Sequence, residues 1–347
     1  MRIDMSNGAI ETIPNEKVLA SIGDHIDNPI PDPPTPKLAA TVMLVRDSKP
    51  GQTKYRIDDG VFPPDFPNNQ NVEVFMLRRV NTMDFLPDAV VFPGGRVDER
   101  DSNPDLPWCG PSPKDWAELL GVSEDDARRI VVAAAREVFE ECGVLLAGPD
   151  ATSTVTDLSD PSWDANREAL VAHEIAFADL LVERNLILRT DLLGLVANFC
   201  TPTFEPKRYD TFFFSALMPE GQHADDNTSE AQIADWVTPS YAVREADENR
   251  WLIVAPTLFN LTRIAEAPSA EVRFEPSQGE EDHVQAAAQR RRHDRTACRL
   301  GLRASGEHVW HSFEKEFIWG SSSTKRPMRA VRKASACSAC APTILHP

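Results

Sequence analysis

Between residues 136 and 144 the chain reads REVFEECGV, and its three glutamates are spaced for joint work. Glu137, Glu140 and Glu141 stand at i, i+3 and i+4, so on a helix they share one face. Carboxylates stacked this closely repel one another, and no lysine is interleaved to relieve them. A hard divalent cation does relieve them, because it takes oxygen ligands and keeps room for waters and substrate phosphates. Glu137, Glu140 and Glu141 are therefore candidate metal ligands and catalytic residues, with Mg²⁺ or Mn²⁺ as the cofactor. Arg136 keeps its proton, and its planar fork can orient a neighbouring carboxylate. Upstream, AVVFPGG at residues 89 to 95 reads as a short strand running into a turn. Gly94 and Gly95 allow close backbone approach there, with free N–H groups facing the oxygens of a bound phosphate.

The helix carrying the glutamates is expected to start at Ser123, with Asp126 completing a partial capping box, and to stop at Gly143. A shorter helix precedes it in SPKDWAELLG, with Ser112 as N-cap, Pro113 in the first turn and Gly121 as the stop. Strands are expected in KLAATVMLV (37 to 45), VEVFMLRR (72 to 79), RYDTFFFSALM (208 to 218) and ADWVTPS. Residues 163 to 200 read as more helix, and PTLFNLTRIAE as a helix after a proline. Strands and helices mixed this irregularly argue for an α+β fold. The helix's apolar side, with Ala134, Ala135 and Val138, is the side that would pack on the sheet.

RYDTFFFSALM and the glutamate stretch around Glu137 lie inside a segment bounded by two unlike ends. Residues 1 to 36 include NPIPDPPTP and read as a Pro-rich leader without regular structure. Residues 286 to 347 hold 12 Lys and Arg against 4 Asp and Glu, a net of +8, and show little periodicity. The expected domains are thus the leader at 1–36, a catalytic domain at 37–268 and a poorly ordered basic tail at 269–347. Over the whole chain the formal charge is −18, which repels nucleic acid and anionic membrane. No apolar run reaches the roughly 18 residues of a membrane span, and no secretory signal opens the chain. Six cysteines scattered over 347 residues are not a disulfide framework, so a reducing, cytoplasmic location is expected.

REVFEECGV resembles the second half of the Nudix box, G-x5-E-x7-R-E-U-x-E-E-x-G-U with U aliphatic. Arg136, Glu137, Val138, Glu140, Glu141, Gly143 and Val144 match position by position, and Gly95 matches the first glycine. Asp101 stands where the family has its first Glu. From Asp101 to Arg136 the spacer is 34 residues rather than 7, so the box is interrupted by 27 extra residues. They are expected to loop out between two halves of one site. An interrupted box resembles the Nudix branch that includes the peroxisomal coenzyme A diphosphatases. CTPTFEPKRYDTFFFSALMPEGQ and EAQIADWVTPSYAV resemble that branch's later strands, and the resemblance covers roughly residues 37 to 268. Asp84 and Asp88 depart from it, standing where the coenzyme A signature has Arg and Gly.

The resemblance implies a Nudix fold, with a mixed sheet sandwiched between helices and a helical insertion in the box. It implies hydrolysis of a pyrophosphate bond in a nucleoside diphosphate linked to another moiety, with coenzyme A or an acyl-coenzyme A as the leading small-molecule partner. Arg136 would hold the glutamates. Glu230 is a candidate late carboxylate, and Arg208 a candidate contact for substrate phosphate. Other readings are a Nudix pyrophosphatase for ADP-ribose, NADH or a nucleotide sugar, and a non-catalytic Nudix-like binding module. The glutamate cluster weighs against the module, since a pure binder has no need of three carboxylates.

Overall fold

A computed structural model of the chain describes residues 31–48, 71–82, 86–201, 205–228 and 231–270, together with the backbone of five strand segments nearer the ends. The first two segments are β1 (Arg2–Asp4) and β2 (Ile10–Ile13). The main sheet begins with β3 (Lys37–Asp47) and β4 (Val72–Arg79), the two apolar runs expected as strands. Next come β5 (Val90–Val91) and β6 (Gly94–Arg96), on either side of Pro93. The chain continues through β7 (Trp108–Cys109), α1 (Pro113–Leu120), α2 (Glu124–Cys142) and β8 (Ala147–Gly148). It then forms α3 (Pro161–Val171), α4 (Phe177–Glu183) and β9 (Ile187–Arg189). The strands β10 (Leu193–Cys200), β11 (Tyr209–Leu217) and β12 (Ala231–Val237) follow, and then α5 (Pro239–Asp247) and α6 (Ala255–Ala265).

The main sheet runs β10-β11-β3-β4-β12, with β5 paired to β4 and β6 paired to β3. β11 and β3 are parallel and the other pairings are antiparallel. Alternate side chains of each strand enter opposite cores, as the strand period of two requires. Ala40, Val42, Leu44, Phe75, Leu77, Phe212 and Phe214 face the core that contains α2. Met43, Val45, Val74, Met76 and Phe213 face the core that contains α5 and α6. This is the expected mixed sheet between helices.

Pro93 is the point at which one expected strand becomes two. β5 bonds to β4, β6 bonds to β3, and the carbonyl of Pro93 accepts from Val42 N–H at 2.8 Å. A residue without an N–H cannot carry a ladder through, so the segment changes partner there. The switch places Gly94 and Gly95 in a fork of the sheet, facing α2.

Both helix starts and stops match the sequence reading. Ser112 caps α1 in a reciprocal box with Asp115, and Gly121 ends it at φ 69°. Ser123 caps α2 and Gly143 ends it at φ 68°, a left-handed conformation that glycine adopts without strain. One expectation is corrected. Residues 163–200 are not continuous helix: after α4 the chain forms β9 and β10. The aromatic run of β11 would otherwise leave an unpaired edge beside Leu193–Cys200, and that pairing overrides local propensity. Three short strand segments are described beyond residue 270. β13 (Arg299–Leu302), β14 (His308–Phe313) and β15 (Glu316–Trp319) pair with one another and with β2. HVWHSF and EFIW are rich in the aromatic and β-branched residues that suit a strand once a partner exists. Among the described residues, no helix is long and apolar enough to cross a membrane.

The insertion does not loop out. Leu106, Trp116 and Leu120 are buried in the same core as α2. The Trp116 ring meets Phe214 edge-on at 5.8 Å, and its indole N–H reaches Thr190 Oγ1 at 3.4 Å. Trp108 and Cys109 pair with β9. The 27 extra residues are therefore structural, because their apolar side chains have a core to enter. Trp116→Ala should destabilise the domain by about 3–5 kcal/mol, the usual effect of deleting a buried aromatic, as read by urea unfolding. A cost under about 1 kcal/mol would return the insertion to the status of a surface loop.

Candidate active site

Apart from Arg136 and the glutamates, the second half of α2 is apolar, and Ala133, Ala134, Ala135 and Val138 are fully buried. Small residues there let the helix approach the strands closely. Glu137, Glu140 and Glu141 consequently lie at the β6 fork, and they are themselves only 8%, 9% and 5% exposed. Arg136, 8% exposed, is the cation among them.

Arg136 spends its guanidinium on four partners. Nη1 donates to Glu137 Oε1 at 2.8 Å and to Glu140 Oε2 at 3.0 Å. Nε and Nη2 donate to the two oxygens of Asp101 at 2.9 and 3.1 Å, and Nη2 also donates to the Arg96 carbonyl at 3.0 Å. Burial alone would lower the Arg136 pKa, but Glu137, Asp101 and Glu140 outweigh it and push it above its ordinary value. The residue stays charged, and a buried charge with fork-to-carboxylate bonds on both sides is a rigid one.

Asp101 is thus the acid that closes the interrupted box. It is 1% exposed, and its second task is to accept the Asp98 N–H at 2.8 Å, which shapes the short 3₁₀ turn at Glu99–Asp101. Asp98 is held in turn by Arg100, whose bonds keep the Asp98 carboxyl well below the usual range. Arg100 also donates to the His173 carbonyl at 2.9 Å, which ties the turn to the α3–α4 connection. Leu170, Ile175, Ala176 and Phe177 from that region line a small pocket over Arg136 and Asp101 and shield the ion pair.

The glycine turn serves the carboxylates rather than presenting the free N–H groups expected from the sequence. Gly94 N–H donates to Glu141 Oε2 at 2.7 Å. A Cβ on Gly95 would lie 2.5 Å from Glu137 Oε1, so only glycine leaves room for that carboxylate. A Cβ on Gly94 would lie 2.5 Å from the Ala40 carbonyl across the β3–β6 pairing.

The other singled-out residues sit elsewhere. Arg208 is not brought to the glutamates by its described bonds. It donates to the carbonyls of Thr201 and Pro34 at 3.0 and 2.9 Å, where it ties the start of β11 to its flanks. Glu230 and Asp84 lie outside the described residues. Asp88 has φ 59°, the conformation the signature's glycine would take freely, and its carboxylate faces Arg78 at 3.5 Å. Cys142 is fully buried, and burial, with Glu141 nearby, pushes its thiol up, so it packs rather than attacks. Arg100 and Arg167, both important to the site's framework, carry no sequence signal, because their partners are contributed from distant segments.

The donor set is chemically right for a hard divalent cation, being all carboxylate oxygen. Among the described residues, however, no group of three potential ligands is gathered into a metal cage. The carboxylates are turned toward Arg136 and Gly94 instead. Such an open set suits Mg²⁺ or Mn²⁺, which complete their shells with water and substrate phosphate.

Residues 112–264 match the family model described as the NUDT19 Nudix domain. The chain is 30% identical over 202 residues to a Caenorhabditis elegans protein named "Putative nudix hydrolase 7", covering 56% of each. It is 24% identical over 271 residues to the acyl-coenzyme A diphosphatase NUDT19 of Xenopus laevis, covering 66% of this chain and 69% of that one. Among solved structures, a NUDIX hydrolase from Alicyclobacillus acidocaldarius superposes with a TM-score of 0.55 at 25% identity, over 69% of this chain and 95% of the other. The chain therefore spans little more than half the length of the worm relative.

Asp101→Ala should cost about 3 kcal/mol, since it strands a buried guanidinium, and urea titration will measure it. A loss below about 1 kcal/mol would show that the pair does not hold the loop. Gly95→Ala should act differently. Its new methyl displaces only the tip of a side chain, so stability should change by less than about 1 kcal/mol. Moving Glu137 off Arg136 should still lower kcat about tenfold or more. Unchanged turnover would mean that the Glu137 position is not used.

Proposed function

We propose that the chain is a metal-dependent pyrophosphohydrolase of the Nudix superfamily, acting on a nucleoside diphosphate linked to another moiety. The observation that carries this reading is the Arg136 network. It joins Asp101, Glu137 and Glu140 across a 35-residue separation and so rebuilds the box that the sequence interrupts. With its carboxylates ionised, the group of Asp101, Glu137, Glu140, Glu141 and Arg136 is strongly anionic. That charge is suited to recruiting a divalent cation and is unsuited to binding a diphosphate without one.

Glu137, Glu140 and Glu141 would hold Mg²⁺ or Mn²⁺. When bound, the ion supplies charge neutralisation at the diphosphate and acidifies water. The chain's own contribution is positioning. Arg136 orients Glu137 and Glu140, Gly94 N–H orients Glu141, and Asp101 keeps Arg136 in register. The pocket-lining Leu170, Ile175 and Phe177 limit access of water to that network, which strengthens its electrostatics.

Coenzyme A or an acyl-coenzyme A is the proposed substrate. It is supported by the interrupted box and by the name of the Xenopus relative. The products would be a phosphopantetheine and adenosine 3′,5′-bisphosphate. ADP-ribose, NADH and nucleotide sugars are the competing substrates.

Incubation with each of these in Mg²⁺ and in Mn²⁺, with product masses read, tests the reading. Adenosine 3′,5′-bisphosphate from coenzyme A is expected, and turnover of ADP-ribose alone would replace that substrate. Glu140→Gln and Glu141→Gln should each lower kcat at least about a hundredfold with the fold retained, because charge neutralisation supplies several kcal/mol. Near-normal turnover of both variants in saturating Mg²⁺ would sink the assignment of the site.

A further inference from the structure

The last turn of α2 carries Glu140 and Glu141 but no basic residue of its own. A helix end of this kind leaves carbonyls without intrahelical donors and gathers partial negative charge. Two distant segments supply what is missing. Arg167, on α3, donates from Nε to the Glu140 carbonyl at 2.8 Å. Asp225, in the segment between β11 and β12, donates its backbone N–H to the Cys142 carbonyl at 3.0 Å. The two are joined by Arg167 Nη1 to Asp225 Oδ1 at 2.7 Å. One ion pair thus grips the backbone on both sides of Glu141.

Gly143 makes the grip possible. A Cβ there would lie 2.8 Å from Asp225 Oδ2 and 2.9 Å from Arg167 Nη1. The glycine that ends the helix is also the one that admits the pair. Arg167 is 4% exposed, and its Nη2 is buried with no hydrogen-bond partner. A guanidinium held in this state is a poor device for stability alone, since an apolar side chain of similar length would pack as well without the desolvation cost. What it does achieve is to fix where the Glu140 backbone stands.

We propose that Arg167, supported by Asp225, is a positioning residue that sets the height of the last turn of α2, from which Glu140 and Glu141 reach the metal. The proposal rests on the function proposed above and deepens it: the metal site is held from two directions. Arg136 fixes the carboxylate ends of Glu137 and Glu140, and Arg167 fixes the backbone that carries Glu140 and Glu141. Displacements of about 1 Å are enough to lower turnover about a hundredfold.

The test compares Arg167→Met, Arg167→Lys and Asp225→Asn, with Glu141→Gln as control, in the full chain. Mn²⁺ affinity is measured by electron paramagnetic resonance without substrate, alongside kcat, KM and Tm. Arg167→Met should weaken Mn²⁺ binding about fivefold or more and lower kcat about tenfold, with KM little changed. Its Tm should stay within about 4 °C of the parent, which separates positioning from a general loss of stability. Arg167→Lys should recover part of the Mn²⁺ affinity, because an ammonium can still donate to the Glu140 carbonyl. If Glu141→Gln loses Mn²⁺ while Arg167→Met keeps both affinity and kcat within about twofold, the clamp is overturned and the site stands. If Glu141→Gln itself binds Mn²⁺ normally, the site reading fails and the clamp falls with it. Should Arg167→Met not fold, Asp225→Asn and Arg167→Lys decide, and parental Mn²⁺ affinity in both overturns the proposal.

Discussion

A buried ion pair between residues 35 positions apart holds this domain's chemistry in place. Arg136 and Asp101 meet through two hydrogen bonds at 2.9 and 3.1 Å, in a region almost closed to water. Such a pair adds little net stability compared with apolar packing, yet leaving either partner alone is expensive. It acts as a registration device: the 98–101 turn and α2 adopt one relative placement because others would strand a charge. The remaining bonds of Arg136 pass that placement on to Glu137 and Glu140.

The surrounding fold satisfies the conditions this pair imposes. The chain leaves the turn at Asp101 and must return to Arg136, so the intervening residues need a stable path. They find it by burying Leu106, Trp116 and Leu120 beside α2 and by pairing Trp108 and Cys109 with β9. On the sheet side, the partner switch at Pro93 opens a fork that brings Gly94 and Gly95 against the glutamates. The alanines of α2 permit that approach, and the glycines leave space for it. Removal of bulk from both surfaces lets carboxylates occupy a position only 5–9% exposed.

Electrostatics and packing act together at the end of α2. Gly143 closes the helix in a left-handed turn, and the same lack of a side chain admits Arg167 and Asp225. A helix that ends without a basic residue obtains one from α3, so the segment around Trp163 and Arg167 belongs to the site's framework although it lies outside the box. Phe139 links the two directly, since its ring packs against Trp163 at 6.1 Å and Phe177 at 6.2 Å.

Local chemistry in the sequence determined the caps at Ser112 and Ser123, the stops at Gly121 and Gly143, the apolar strands β3, β4 and β11, and the shared face of Glu137, Glu140 and Glu141. Each depends on residues within about one helical turn or one strand of each other, which is the range of propensity and periodicity. Tertiary structure decided what spans longer distances. Leu193–Cys200 became a strand because β11 offered an edge, and the insertion became core because Trp116 had Phe214 to meet. Asp101 took up Arg136 although it is shorter than the family's glutamate, and Arg167 reached the Glu140 carbonyl from another helix. Apart from the motif position of Asp101, none of these pairings leaves a pattern along the chain, because hydrogen bonds and packing act over a few ångströms in space while their partners stand tens of residues apart in sequence.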